Sequence, residues 1–236
     1  MSRCSITFAV LLGTIAFSAS GASAQDQTVW KFNNLSHIGG LTPKVEGSPQ
    51  IVDSPVGKAV QFNGKDTGLF FPGRPLVGAK TFTIEAIFRP EGGDFQQRWM
   101  HIAQTDPKTG LDANPTGTGD PNPRFMFEVR VVNDQWYLDA FVNSPSGSKA
   151  LIDPKKLHPI NQWYAVEQTY DGKIYRSYVN GVLENEGEVA FTPHGPGHMM
   201  VGVRMNRVNY FKGSVAEARF TTHALKPEEF LKVPGQ

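Results

Sequence analysis

The chain of 236 residues carries 23 basic and 22 acidic side chains, so no charge surplus draws it to nucleic acid or to an anionic membrane surface. Its one cysteine, Cys4, stands near the start, so the body of the chain has no disulfide staple and holds together by core burial. The length is enough for one large domain with a core of its own.

The first 24 residues read as an export signal. Arg3 supplies a positive start, Ile6 to Ala19 run without a charge, and Ala22-Ser23-Ala24 gives a small-x-small cleavage site before Gln25. The apolar run is shorter than the roughly 20 residues a membrane-spanning helix takes, and no second run follows. The expectation is a secreted or periplasmic protein without a transmembrane segment: signal peptide 1–24, then one domain over 25–236. Loss of Arg3 with the signal leaves 22 charges of each sign.

Alternation of apolar and polar residues then runs from Val29 to Phe220. It predicts strands over 59–62, 68–71, 81–89, 98–104, 124–132, 136–142, 163–170, 174–180, 199–204 and 213–220. In the third of these, Phe82, Ile84, Ala86 and Phe88 face one side and Thr83, Glu85, Ile87 and Arg89 the other. In the fifth, Phe125, Phe127, Val129 and Val131 alternate with Arg124, Glu128 and Arg130. Asn133-Asp134, Asp171-Gly172 and Asn180-Gly181 tolerate positive φ and mark hairpin corners. The stretch 105–123, dense in Pro, Gly, Asp and Asn, is a long loop of the kind that is functional or disordered. The one helical signal is Lys226–Leu231, with Pro227 in a first-turn position. Strands without intervening helices predict an antiparallel sandwich or barrel.

Five segments carry a resemblance. They are Gly57–Gly64 (GKAVQFNG), Thr81–Ala86 (TFTIEA), Trp163–Val166 with Tyr170-Asp171-Gly172, Tyr178–Gly181 (YVNG), and Phe211–Phe220 followed by Ala224-Leu225. In this order they resemble the recurring segments of the laminin-G-like, concanavalin A-like lectin/glucanase jelly rolls, over most of Val29–Leu231. The resemblance implies an all-β fold, a two-sheet antiparallel jelly-roll sandwich (concanavalin A-like), with a concave face that often holds sugars. The family mixes lectin-like modules, adhesion domains, glycoside hydrolases and polysaccharide lyases, so fold does not settle function. It also implies one cofactor to weigh, a structural Ca2+. Asp106, Asp112, Asn114 and Asp120 offer oxygen ligands without an ordered calcium-loop spacing, Asn33 stands where an aspartate is frequent, and no ligand set is assigned.

Long polar side chains in strand interiors are what a groove for a polar ligand needs. Glu85, His101, Glu128, Arg130 and Arg204 occupy such positions, arginine offering a fork of donors and glutamate accepting from hydroxyls. Cross-strand ion pairs on a solvated face are the alternative reading of the same residues. Among the aromatics, Trp99, Trp136, Tyr137, Tyr175 and Tyr210 are candidates to stack on a sugar ring, Trp136 near a rim, whereas Trp163 reads as core. Glu184, Glu186 and Glu188 alternate like a glycosidase set but follow the Asn180-Gly181 turn, which reads as a hairpin edge. His101 with Gln104, Arg130 and Tyr210 has the residue types of a lyase site without its contiguous motifs. There is no G-x-S-x-G elbow and no H-E-x-x-H, and no catalytic residue is assigned. The expectation is a non-catalytic, lectin-like domain that binds a polysaccharide or glycoconjugate on its concave sheet face. A hydrolase or lyase acting on an extracellular polysaccharide, or an adhesion domain, is the alternative.

Overall fold

The computed structural model describes Met1 and residues 26–112 and 122–235. Apart from Met1, the expected signal peptide and its cleavage site lie outside the described residues, as do Asn114, Asp120 and the centre of the 105–123 loop. The first strands are β1 (Gln27–Lys31), β2 (Lys44–Glu46), β3 (Gln50–Ser54), β4 (Gly57–Asn63) and β5 (Gly68–Phe71). The longest follow: β6 (Phe82–Pro90), β7 (Gln96–Gln104), β8 (Arg124–Val132) and β9 (Gln135–Ser144). Then come β10 (Gly147–Ile152), β11 (His158–Pro159), β12 (Tyr164–Tyr170) and β13 (Ile174–Val179). The last are β14 (Val182–Glu188), β15 (Gly197–Val201) and β16 (Lys212–Thr221).

They form two antiparallel sheets of eight strands, the two-sheet sandwich expected. The first sheet has the order β14-β13-β12-β6-β16-β4-β3, with β1 continuing on β16. The second has the order β10-β9-β8-β7-β15-β5-β2, with the short β11 on β9. Period-2 alternation sends one side of each strand between the sheets. There Phe82, Ile84, Ala86 and Phe88 of β6 meet Phe125, Phe127 and Val129 of β8. Phe88 lies against Trp99 at 5.4 Å and edge-on to Trp136 at 5.2 Å, each large ring contributing about 1.5–3 kcal/mol of burial.

The hairpin corners behave as their residues dictate. Asn133 and Asp134 both have positive φ, as do Asn180 and Gly181, while at Asp171-Gly172 the glycine alone does. Gly213 has no room for a side chain, since a Cβ there would meet the Arg89 carbonyl at 2.4 Å.

Two bulges break the alternation. In β7 the register shifts between Arg98 and Met100, so Trp99 and Met100 both turn inward. Gln96 and Arg98 before the bulge, and His101 and Ala103 after it, therefore share the outer face. A second shift, between Val215 and Glu217 of β16, keeps Arg219 outward. Trp136 is fully buried and not at a rim. Trp163 is half-buried outside the main core, on the first sheet's outer face, with the Arg89 guanidinium 5.1 Å from its ring.

After β16 the chain folds back over that face as a strap. The Leu225 N–H donates to Thr83 Oγ1 at 2.8 Å, and Phe230 packs edge-on against Tyr178 at 5.0 Å. The predicted helix over 226–231 is one 3-10 turn, Pro227–Glu229, closed by the Lys226 N–H donating to the Glu229 carboxylate. Phe230 is already extended, which lays it and Leu231 on the sheet and ends the turn. Among the described residues, no helix is long and apolar enough to cross a membrane.

Candidate functional site

Cross-strand partners share a face, so the ladder maps the second sheet's outer surface. Its rows are Gln96, Arg130 and Tyr137; then Arg98, Glu128 and Asp139; then Phe70, Met200, His101, Met126 and Phe141; then His198, Ala103, Arg124 and Asn143. The first two rows form an ion network. Glu128 meets Arg98 Nε at 3.0 Å with one oxygen and Arg130 Nη2 at 3.0 Å with the other. Arg130 also pairs with Asp139. With its amide oxygen turned inward, Gln96 accepts from Arg130 Nη1 at 2.7 Å and from Arg98 Nη2 at 2.6 Å.

Burial sets the electrostatics of these rows. Desolvation raises Glu128 to about 7, with Asp139 adding to the rise against the pull of Arg98 and Arg130. Desolvation also lowers Arg98, and the cationic Arg130 and Arg204 beside it act in the same direction. At one end the network reaches solvent. The Arg130 guanidinium lies 5.7 Å from the Phe95 ring, which is 55% exposed. The Phe95 carbonyl accepts the Val131 N–H at 2.8 Å, which ties that residue to β8.

The other rows are covered. The loop from Gly202 to Phe211 is stitched to the sheet by Gly202 N–H to the Trp99 carbonyl and Arg98 N–H to the Asn209 carbonyl. Its Met205 N–H donates to His101 Nδ1 at 3.1 Å. His101 is wholly buried, and desolvation, then the cations Arg124, Arg204, Arg98 and Arg74, hold it well below the usual histidine range. It is a structural acceptor and not a base open to substrate. Arg204 belongs to this loop, because β15 ends at Val201; its charge acts on Arg98 from the loop and not from a strand.

The structure thus gathers four of the five expected residues, His101, Glu128, Arg130 and Arg204, and leaves the fifth out. Glu85 lies on the outer face of the opposite sheet. Arg219 Nη2 donates to it at 2.7 Å, Arg219 Nε also donates, and the Leu231 N–H donates at 2.8 Å. It fastens the C-terminal strap. Beside it Glu167, its cross-strand partner, is raised by burial to about 9 and accepts the Gly181 N–H at 3.4 Å.

Other candidates sort by burial. Trp99, Trp136 and Tyr175 are sealed in the core; Tyr137 lies on the outer face but is 6% exposed. Tyr210 is part of the Gly202–Phe211 loop itself and packs, half-buried, against the cluster of Ala103, Met200, Val203 and Met205. Gln104 accepts the Gly195 N–H, so the lyase-like set does not assemble around His101. Glu184, Glu186 and Glu188 sit on the edge strand β14, paired with His158, Arg176 and Lys173. Of the calcium candidates, Asp112 is engaged by His198 and Thr105, and Asp106 by the Lys108 N–H. Asn33 bonds Asn34. These donors do not converge, and among the described residues no group of three His, Asp or Glu side chains forms a metal site. Phe95, Gln96, Arg98 and Asp139 escape the sequence reading: Phe95 precedes its strand, the bulge hides the parity of the β7 residues Gln96 and Arg98, and Asp139 of β9 is known only by its pairing opposite Glu128.

Residues 63–230 match a family model described as the concanavalin A-like lectin/glucanases superfamily. None of the curated proteins matches the chain. Among solved structures, domain 4 of AbnA, a GH43 extracellular arabinanase from Geobacillus stearothermophilus, in complex with arabinotriose, is 21% identical at a TM-score of 0.56. That match covers 86% of this chain and 94% of that one. Trypanosoma rangeli sialidase in complex with sialic acid is 15% identical at a TM-score of 0.59, over 92% of this chain and 34% of the sialidase. The botulinum neurotoxin serotype G binding domain is 12% identical at 0.57, over 86% of this chain and 49% of that one. At these identities the likeness is one of fold.

Proposed function

Because the chain belongs to the concanavalin A-like lectin/glucanase superfamily, we propose that it binds a glycan at the Phe95 end of the second sheet's outer face. One observation carries the reading: the exposed Phe95 ring stands beside an arginine that a buried network holds in place. A sugar ring has an apolar face for the aromatic and a hydroxyl rim for the guanidinium and for Gln96. Because Glu128, Asp139 and Gln96 fix Arg130 beforehand, little side-chain freedom is lost on binding. Both Glu128 oxygens sit in ion pairs, which supports binding over hydrolysis at this end. The arabinotriose held by the arabinanase domain and the sialic acid held by the sialidase are natural first ligands to try. The charge-free run Ile6–Ala19 supports placing this activity outside the cytoplasm.

A glycan array followed by calorimetry tests the proposal. The wild type is expected to bind without releasing products, and Phe95→Ala and Arg130→Ala each to weaken binding about tenfold. No binding anywhere on the array, or unchanged affinity in both variants, overturns it.

A further inference from the structure

The same outer face has a second opening at the far end of β7. From Gln96 to Gln104 that strand spans roughly 26 Å, and the Gly202–Phe211 loop covers the ground between. At the far end Pro72, Pro107 and Pro196 wall a cavity of about 460 Å³ that Gln104, Thr105 and His198 also line. A volume of that order suits a small ligand.

Its two principal polar groups are fixed from behind. Asp112 meets His198 Nδ1 with both carboxylate oxygens, at 2.8 and 2.9 Å, and also takes the Thr105 hydroxyl. In the neutral ring, a proton on Nδ1 facing the carboxylate leaves Nε2 as a lone-pair acceptor, on a side chain that is 32% exposed. Phe70 packs against the imidazole at 5.1 Å and sets its plane. The Gln104 amide oxygen accepts the Gly195 N–H at 2.6 Å, which leaves its NH2 to donate. An acceptor and a donor held among proline rings match a ring that carries neighbouring hydroxyls on an apolar carbon frame.

We infer that this cavity is a second sugar-ring subsite, in which His198 Nε2 accepts from one ring hydroxyl and Gln104 donates to the next. The inference rests on the glycan reading and adds a length to it. The two openings act separately on short sugars, and only a chain of several rings, long enough to span roughly 26 Å, gains from both.

Nuclear magnetic resonance separates the two ideas. Arabinotriose, and in a second titration sialic acid, is added to the full-length protein while the His198 and Phe95 ring signals are followed. Both rings are expected to shift with independent saturation. Gln104→Leu is expected to weaken the His198 response at least fivefold and to leave the Phe95 response alone. A Phe95 response without a His198 response overturns the subsite and leaves the glycan reading standing; the reverse overturns the Phe95 site. Silence of both rings to both sugars overturns both. An undiminished His198 response in Gln104→Leu overturns the recognition assigned here. If that variant does not fold, His198→Ala serves instead: unchanged affinity for the longest chain bound on the array counts against the subsite.

Discussion

The two outer faces carry the same kind of feature and use it for different ends. On the first sheet Glu85 and Arg219 meet across β6 and β16, and the Leu231 N–H joins them. On the second, Glu128 and Asp139 hold Arg98 and Arg130 across β7, β8 and β9. One pair fastens a strap that closes its face, whereas the other network runs out to an exposed phenyl ring. A mid-strand ion pair is therefore neutral evidence about ligand binding. What the chain lays over the pair decides its use.

The largest effect should follow from breaking the fastener. Glu85→Ala leaves Arg219 without its carboxylate partner, holding only the Glu229 carbonyl, and removes the Leu231 acceptor, a loss of about 3–5 kcal/mol for a broken buried pair. For a chain of this size that is roughly 10 °C in melting midpoint. Calorimetric melting checks it, and glycan affinity measured well below the midpoint should not change. A shift of only a degree or two would mean that the strap holds by its apolar contacts alone. Glu128→Ala should cost less, about 2–3 kcal/mol, because Asp139 still compensates Arg130 and the Gln96 amide oxygen still accepts from Arg98. Unlike Glu85→Ala, it should also weaken glycan binding, since Arg130 loses one of its three anchors. Equal binding phenotypes in the two variants would erase the distinction between the faces.

The sandwich is legible in the sequence because alternation is a local property. Phe82, Ile84, Ala86 and Phe88 announce their face without reference to any partner, and Asn180-Gly181 announces its turn. The site is less legible because it depends on events between strands. The bulge at Trp99 moves His101 onto the face of Arg98, which no count of two predicts. Glu85 has the same surroundings in sequence as Glu128 but faces out of the other sheet, and only the strap, more than 130 residues later, reveals its task. The five short outer strands β1, β2, β3, β10 and β14 alternate weakly, because solvent covers much of both their sides.

A smaller and opposite effect sharpens the comparison from the closed side. Glu167 is buried under the strap region, and its acid form is favoured up to about 9, against 4.5 for an ordinary glutamate. Between those values the folded chain keeps a proton that the unfolded chain has released, so stability falls as pH rises through this window and the penalty vanishes below it. Glu167→Gln removes the titration. It should raise stability at pH 8 by about 1–2 kcal/mol, a few degrees of midpoint, and change little at pH 4. A gain of equal size at both pH values would point to packing and not to the buried acid.

The smallest effect on stability belongs to the open side. Phe95 is more than half exposed, precedes its strand, and ties itself to β8 through its backbone carbonyl and not its ring. Phe95→Ala should leave the melting midpoint within about 0.5 kcal/mol of the wild type, as a surface substitution does, while affinity for the bound glycan falls about tenfold. Arg130 keeps Glu128, Asp139 and Gln96 in that variant, so the loss reads the aromatic contact alone. A destabilisation of 2 kcal/mol or more would instead make Phe95 a lid over the ion network, as Leu231 is over Glu85. The two faces would then differ in the size of their covers and not in kind.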